Sequence, residues 1–139
     1  DFLVRKGKMK VSKIGLVWIA VRDITRATDF LSKVIGLNVS NYLPEQGWAE
    51  LTDKTGEIIL GLGQVGDESD IPQEQRSPVK PGGNAVITLT VDDVYASKKE
   101  LEMQGVHFWG DVVDVPGHVR LATFTDFDGN LFQLVQELF

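Results

Sequence analysis

The stretch FTDFDGNLFQL, residues 124–134, has the pattern of two strands joined by a tight turn. Its centre, residues 126–130, carries the glycine and the short polar side chains that hairpin turns favour. A shorter version of the same signal, LTDKTG, occurs at residues 51–56. The chain therefore carries one hairpin signal twice, and this suggests that its two halves are duplicates.

A second signal is repeated in the same order. Residues 21–23, VRD, correspond to residues 91–93, VDD, at an offset of 70. The glycine that follows, Gly36 or Gly105, lines up only if one residue of the first half is skipped. Matches that occur in order at a nearly constant offset favour internal duplication over chance.

Each half shows one strand, one helix and three further strands. Strict alternation predicts strands at 16–21 and 86–91. Asp23 and Asp93 are suited to cap helices over 24–35 and 94–104, and each helix ends at a glycine. The remaining strands are predicted near 38–43, 48–53 and 57–63, and near 106–114, 119–125 and 130–137. The fold class is therefore α+β, with βαβββ modules at 9–63 and 85–139.

Two segments lie outside the modules. Residues 64–84 are polar and rich in glycine and proline, which is typical of a solvated linker; a lid over a pocket is the alternative. Residues 1–8 precede Met9 and lack the apolar core and cleavage site of a signal peptide. We interpret them as an expression remnant or a disordered leader.

Composition excludes several classes of function. The chain has 139 residues, a net charge of −6 and no cysteine. The acidic balance argues against nucleic acid as a partner, and no apolar run is long enough to span a membrane. The absence of thiols excludes disulfides, thiolate metal sites and a cysteine nucleophile. We expect a cytoplasmic protein whose partner is a small molecule.

The paired modules, the V-x-D caps and the D-x-D-G-N turn resemble the vicinal oxygen chelate superfamily. This group contains glyoxalase I, bleomycin-resistance proteins and extradiol dioxygenases. The resemblance covers residues 13–137, and Phe127 stands where most members have proline. It implies a curved, barrel-like mixed sheet around a cavity, and a homodimer in which the modules can be exchanged.

The resemblance also identifies four positions that hold a divalent metal in the enzymes of this superfamily. They correspond here to Leu16, Leu60, Val86 and Gln133. Three of these side chains are aliphatic and have no lone pair to offer, and one neutral amide does not hold a metal ion against water. We therefore expect neither a metal nor another cofactor.

Strand alternation predicts which side chains line the cavity. The all-aliphatic sets 17, 19, 21 and 87, 89, 91 should face the helices. The residues expected on the opposite, cavity-lining face are Leu16, Trp18, Ala20, Val86, Thr88 and Thr90, together with Ile58, Leu60, Leu62, Leu131, Gln133 and Val135.

Aromatic and charged candidates complete the predicted site. Trp18 can stack on a planar or cationic ligand, or it can simply fill the space of a lost metal. Trp48 and Glu50 share one face of their strand, which is either the cavity wall or an exposed edge. Trp109 is included although alternation does not fix its side. His107 and His118 are the two candidates for near-neutral acid–base chemistry, but a histidine near a turn is more often a surface residue.

These observations favour a metal-free protein that binds, and sequesters, a cationic or aromatic compound. The alternative is a lyase, isomerase or dioxygenase with a metal held by other residues. A regulatory or scaffold protein whose cavity is only core is the third possibility.

Overall fold

The structure, a computed structural model, describes residues 12, 15–76, 79–83 and 85–139. The first module contains β1 (Val17–Val21), α1 (Ile24–Asp29), β2 (Asn38–Leu43), β3 (Trp48–Thr52) and β4 (Ile59–Gln64). The second contains β5 (Val86–Thr90), α2 (Val94–Met103), β6 (Phe108–Val115), β7 (Val119–Thr125) and β8 (Leu131–Glu137). Residues 1–8, the predicted remnant or leader, lie outside the described residues.

Each module forms one open, mixed sheet of four strands. The strand orders are β1-β4-β3-β2 and β5-β8-β7-β6. The first strand of each module pairs in parallel with the last, and the other pairs are antiparallel. The predicted α+β fold of two βαβββ modules is confirmed, as two sheets rather than a closed barrel. In the part of the chain that the structure describes, no helix is long and apolar enough to cross a membrane.

Local sequence signals position both helices. The Asp23 carboxylate accepts a hydrogen bond from the Arg26 N–H, and the Asp93 carboxylate accepts one from the Ala96 N–H, each at 3.1 Å. These bonds satisfy backbone donors that an uncapped helix leaves free, and such a cap stabilises a helix by about 1 kcal/mol. The repeated aspartates are therefore helix caps, as predicted.

The first half has one residue more than the second before its glycine, and a π-helical turn at the end of the first helix accommodates it. After α1 the chain continues as a π-helix over Phe30–Val34. The N–H groups of Ile35 and Gly36 donate to the carbonyls five residues earlier, at 3.1 Å each. An i→i−5 turn accommodates one extra residue without breaking the helix. The first half therefore keeps the repeat's fold in spite of its longer helix.

The core lies between each sheet and its helix. Residues 19, 21, 51 and 62 of the first sheet are buried against α1, and the stacked rings of Phe124 and Phe132, 5.3 Å apart, belong to the core of the second module. The helix-facing assignment of the alternating residues of β1 is thus confirmed at 19 and 21.

The prediction that Ile58, Leu60 and Leu62 face the cavity is wrong. Leu60 pairs with Val17 and Leu62 with Ile19, so both leucines lie on the helix side, where they are buried. Ile58 precedes β4 and is 71 % exposed. The error arises because the β3–β4 turn is one residue longer than the β7–β8 turn: Thr52 pairs with Ile59, whereas Thr125 pairs with Leu131.

The turn at residues 126–130 joins the two modules. The Asn130 side chain donates to the Ala20 carbonyl and to the Asp126 carboxylate, each at 2.9 Å, and accepts from the Gly82 N–H at 2.9 Å. The Phe127 ring lies 5.3 Å from the Phe30 ring. The turn whose sequence identifies the repeat therefore also forms the contact between the two modules.

The aspartates that open the two equivalent turns differ in their environment. Burial raises the pKa of the Asp126 carboxyl above its ordinary value, and hydrogen bonds from Asn130 oppose this only in part. The hydroxyl of Thr55 lowers the pKa of the Asp53 carboxyl, and Asp53 is half-buried in a turn whose next five residues are exposed. The second-module turn is thus packed into the protein, whereas the first-module turn is open to solvent.

Candidate functional site

Two indole rings lie on the face of the first sheet that is opposite α1. Trp18 of β1 and Trp48 of β3 contact each other edge to face, with ring centroids 6.0 Å apart. Between them runs β4, whose residues on this face are Gly61 and Gly63. A Cβ at Gly61 would lie 2.7 Å from Trp48 Cη2, and one at Gly63 would lie 2.7 Å from Trp18 Cζ3. The two glycines therefore provide the space in which both indoles pack onto the sheet.

Glu50 adds a carboxylate to this face. The Trp48 Nε1–H donates to Glu50 Oε2 at 2.7 Å, which fixes both side chains. Among the described residues no donor occupies Oε1, so one carboxylate oxygen is available to a ligand. Because β3 is an interior strand, the alternative that Glu50 lies on an exposed edge is wrong. We call Trp18, Trp48 and Glu50 the indole site.

A cavity of about 420 Å³ adjoins the two indoles. The first part of the linker forms its other wall and contributes Asp67 and Glu68. The Asp67 carboxylate accepts a hydrogen bond from the Ser69 N–H at 2.9 Å, and this lowers the pKa of Asp67. Glu68 Oε1 lies 3.4 Å from Lys80 Nζ. The cavity therefore combines aromatic rings with carboxylates. Whether the linker moves as a lid stays a prediction.

The second sheet presents a different row of side chains. Strand pairing places Thr88, Gln133, Thr123 and Trp109 side by side on one face. Gln133 Nε2 donates to Thr123 Oγ1 at 3.2 Å. Trp109 is 59 % exposed. The structure thus resolves the side of Trp109, which alternation left open, and adds Thr123 to the predicted set.

The other predicted positions lie at the margins of these two faces. Leu16 precedes β1 and is half-buried, while Val86 begins β5 and is exposed. Thr90 ends β5 and is exposed. Among the described residues, side-chain contacts join Trp18 to Trp48, Trp48 to Glu50 and Gln133 to Thr123, and none of these contacts joins the two groups.

Comparison with known proteins agrees with the architecture. The sequence model of the Glyoxalase/Bleomycin resistance protein/Dioxygenase superfamily matches residues 13–134. The chain belongs to this superfamily. It is 26 % identical, over 91 % of its length and 74 % of the relative's, to the mitochondrial methylmalonyl-CoA epimerase of Mus musculus.

Solved structures of other superfamily proteins superpose on most of the chain. TnmS3, an antibiotic binding protein from Streptomyces sp. CB03234, is 27 % identical with a TM-score of 0.70, covering 93 % of this chain and 98 % of that one. FosX from Listeria monocytogenes, a fosfomycin resistance protein complexed with Mn(II) and sulfate, has a TM-score of 0.66 at 18 % identity, covering 92 % of each chain. The second likeness shows the shared fold alone.

The donor set of this superfamily member does not fit a divalent metal. Strand pairing aligns Gln133 with Gly61 rather than with Leu60, because Thr88 pairs with Gln133 as Trp18 pairs with Gly61. Glycine, like leucine, offers no side-chain ligand. Within residues 15–76, 79–83 and 85–139 there is no group of three histidine, aspartate or glutamate side chains that could hold a metal ion. The residues expected to bind a metal therefore lack the chemistry to do so.

The two histidines stand apart from the indole site. His118 lies in the exposed β6–β7 turn, where its N–H donates to the Val115 carbonyl at 2.9 Å. The exposed His107 ring contacts Trp109 edge to face at 5.4 Å. A role for either histidine in ligand binding stays a prediction.

Proposed function

We propose that this superfamily member binds a planar, cationic aromatic compound at the indole site and acts by sequestration, without a metal. The observation that carries the proposal is the packing of Trp18 and Trp48 over Gly61 and Gly63. Glu50 is hydrogen-bonded to Trp48 beside them. Trp18 remains 39 % exposed, so its ring is accessible to a ligand. An aromatic corner with a fixed carboxylate needs no reactive group to retain a cation.

The charge of the site supports a cation. A cation over an indole face gains about 0.5–1 kcal/mol when exposed and about 2 kcal/mol when desolvated. Asp67 and Glu68 line the adjoining cavity and Glu50 is hydrogen-bonded to Trp48, so their carboxylates add attraction for a cation, although Glu68 also pairs with Lys80. The net charge of −6 assists the capture of cations at low ionic strength.

The comparisons support binding rather than a particular ligand. TnmS3 is an antibiotic binding protein that shares the fold of this chain and is 27 % identical to it. We infer that the indole site gives this chain a small-molecule-binding activity of its own.

Glu50→Gln should weaken the binding of N-methylacridinium by about tenfold, because it removes one charge that faces the ring system. Neutral acridine at pH 8 should lose little affinity. Tryptophan fluorescence titration measures both constants. Glu57→Gln, which removes an equally acidic side chain from the exposed β3–β4 turn, is the matched control. Equal losses for the cation and the neutral ring, or no loss for either, would contradict a charge-selective indole site.

The second candidate function is a metal-dependent lyase, isomerase or dioxygenase. Its support is the 26 % identity to a methylmalonyl-CoA epimerase. Elemental analysis after incubation with Ni, Zn, Fe and Mn should find no metal above background, since three of the four ligand positions offer no donor. A content near one metal per chain would overturn the metal-free proposal.

We propose further that the protein is a homodimer with exchanged modules, as its resemblance implies. The exposed side chains of Trp109 and Val113 lie on the same face of the second sheet as Gln133. An apolar patch of this kind is typical of a surface that a partner covers. A cytoplasmic location also stays a prediction.

A further inference from the structure

The two modules meet at two related places, and only one of them is filled. At the first, the turn at residues 126–130 packs against β1 and α1 of the other module. At the second, the corresponding turn at residues 53–58 faces β5 and α2, and a cavity of about 640 Å³ remains between them. We call this cavity the open cleft, and the first place the closed joint.

The side chains that fill the closed joint have no counterparts in the open cleft. Phe127 packs on Phe30 and under the Arg26 guanidinium, whose carbon lies 3.8 Å from the ring centroid. In the repeat, Arg26 corresponds to Ala96 and Phe30 to Glu100. The Phe30 ring and the Arg26 guanidinium, which contact Phe127, are therefore replaced in α2 by the Glu100 carboxylate and the Ala96 methyl group. The smaller side chains leave space, and Glu100 adds a negative charge to the wall of the open cleft.

The open cleft also contains a backbone carbonyl, that of Thr90, which accepts no hydrogen bond from the described residues. The Val91 N–H donates to the Val135 carbonyl, so the alternate residues Thr88 and Thr90 direct their backbone groups away from β8. The residue equivalent to Thr90 is Ala20, whose carbonyl accepts from the Asn130 side chain. In the described residues no donor reaches the Thr90 carbonyl. A carbonyl without a protein donor can accept a hydrogen bond from water or from a ligand that carries an N–H group.

Strand pairing explains why this donor is missing. Asn130 directly precedes β8, and the residue that directly precedes β4 is Ile58. Asn130 lies in the closed joint and Ile58 lines the open cleft, but the isoleucine side chain has no N–H group to donate. Asn130 is 4 % exposed whereas Ile58 is 71 % exposed. The first-module turn therefore approaches the other module without sealing it.

The remaining walls are apolar and include the π turn. Val34 and Ile35, at the end of that turn, line the cleft opposite Leu89, Leu101 and Leu134. π turns are frequent at functional sites because they redirect side chains that a regular helix would place elsewhere. Here the extra residue of the first helix lies at the open cleft, and α2 has no such turn over Val94–Met103.

We propose that the open cleft is a second binding site, for a small primary arylalkylamine. The aromatic ring takes the place that Phe127 fills in the closed joint, and the ammonium group donates to the Thr90 carbonyl as Asn130 donates to Ala20. Glu100 and Asp53 line the same cleft, and Lys54 is its one cation among the described lining residues. The charge therefore selects an amine over a carboxylate.

Calorimetric titration with 2-phenylethylamine, 2-phenylethanol and phenylacetate tests the charge preference. The amine should bind most tightly and phenylacetate least. Glu100→Gln should weaken amine binding by about two- to fivefold, as expected for the loss of an ion pair with an exposed carboxylate. The control Glu102→Gln changes the same charge on the same helix but lies outside the cleft. Equal affinities for the three compounds, or equal effects of the two variants, would refute the site.

A second variant closes the cleft without removing a charge from α2. Lys54→Phe with Ile58→Asn copies the side chains of the closed joint into the first-module turn. It should reduce 2-phenylethylamine binding by more than about tenfold, because the ring and the donor then come from the protein itself. Retained binding in a folded variant would contradict the proposal.

The test also separates this site from the indole site. No tryptophan of the described residues lines the open cleft. Glu50→Gln should therefore leave 2-phenylethylamine binding unchanged while it weakens N-methylacridinium. If Glu50→Gln weakens the amine and Glu100→Gln does not, the amine binds at the indole site and the second site does not exist.

Discussion

Asn130→Ala should lower the free energy of unfolding by about 3 kcal/mol, because it removes a buried side chain whose amide joins the two modules. Three partners lose it at once: the Ala20 carbonyl, the Gly82 N–H and the Asp126 carboxylate. A buried polar group left without its partner costs about 1–3 kcal/mol, and the three losses are not additive because they share one site. Urea denaturation followed by circular dichroism measures the change.

Two further variants test the cause. Asn38→Ala removes the same side chain from an exposed position of β2 and should change stability by less than about 0.5 kcal/mol. Asn130→Asp keeps an acceptor for the Gly82 N–H but loses both donated bonds and adds a charge beside Asp126. It should destabilise at least as much as Asn130→Ala. A small effect of Asn130→Ala, similar to that of Asn38→Ala, would show that other contacts hold the joint.

The ion pair at the same turn should matter less. Arg22 Nη1 lies 3.0 Å from Asp128 Oδ1, and 64 % of the arginine side chain but only 9 % of the aspartate side chain is exposed. A pair with one exposed partner contributes about 1 kcal/mol, since water competes for the exposed charge. The joint therefore depends on the buried amide more than on the visible salt bridge.

Short-range signals in the sequence predicted the fold well. The caps Asp23 and Asp93 and the turn at residues 126–130 depend on neighbours within a few residues, so their identity alone determines their role. The duplication then placed the strands. The skipped residue before Gly36 was visible as well, but the sequence did not show whether a helix or a loop would absorb it.

Long-range features of the site were harder to predict. Leu60 was assigned to the wrong face because the length of the β3–β4 turn, rather than alternation within β4, sets the pairing. Gly61 and Gly63 were not predicted as site residues because glycine carries no side chain and weakens a strand signal. Their role is visible only beside Trp18 and Trp48, which come from two other strands. The sequence GLG at 61–63 was the available signal.

Gly61→Ala should reduce the affinity for N-methylacridinium by more than about tenfold, through displacement of both indoles rather than loss of a contacting group. The new Cβ would lie 2.7 Å from Trp48 Cη2 and 2.8 Å from Trp18 Cβ. The end of the Trp48 ring can swing away, but Trp18 Cβ is attached to the backbone and moves only if β1 shifts. Fluorescence titration gives the affinity, and near-ultraviolet circular dichroism reports the packing of the indoles.

Two matched glycine variants separate crowding from a general effect of alanine. Gly15→Ala meets no atom within 4 Å and should leave binding and the indole spectrum unchanged. Gly63→Ala meets the outer ring of Trp18 at 2.7 Å, a part of the side chain that can rotate, so its effect should be smaller than that of Gly61→Ala. An unchanged spectrum with unchanged affinity in Gly61→Ala would mean that the indole site tolerates a side chain beneath it. The expected order of effects, by contrast, would show that both indoles pack where the two glycines leave space for them.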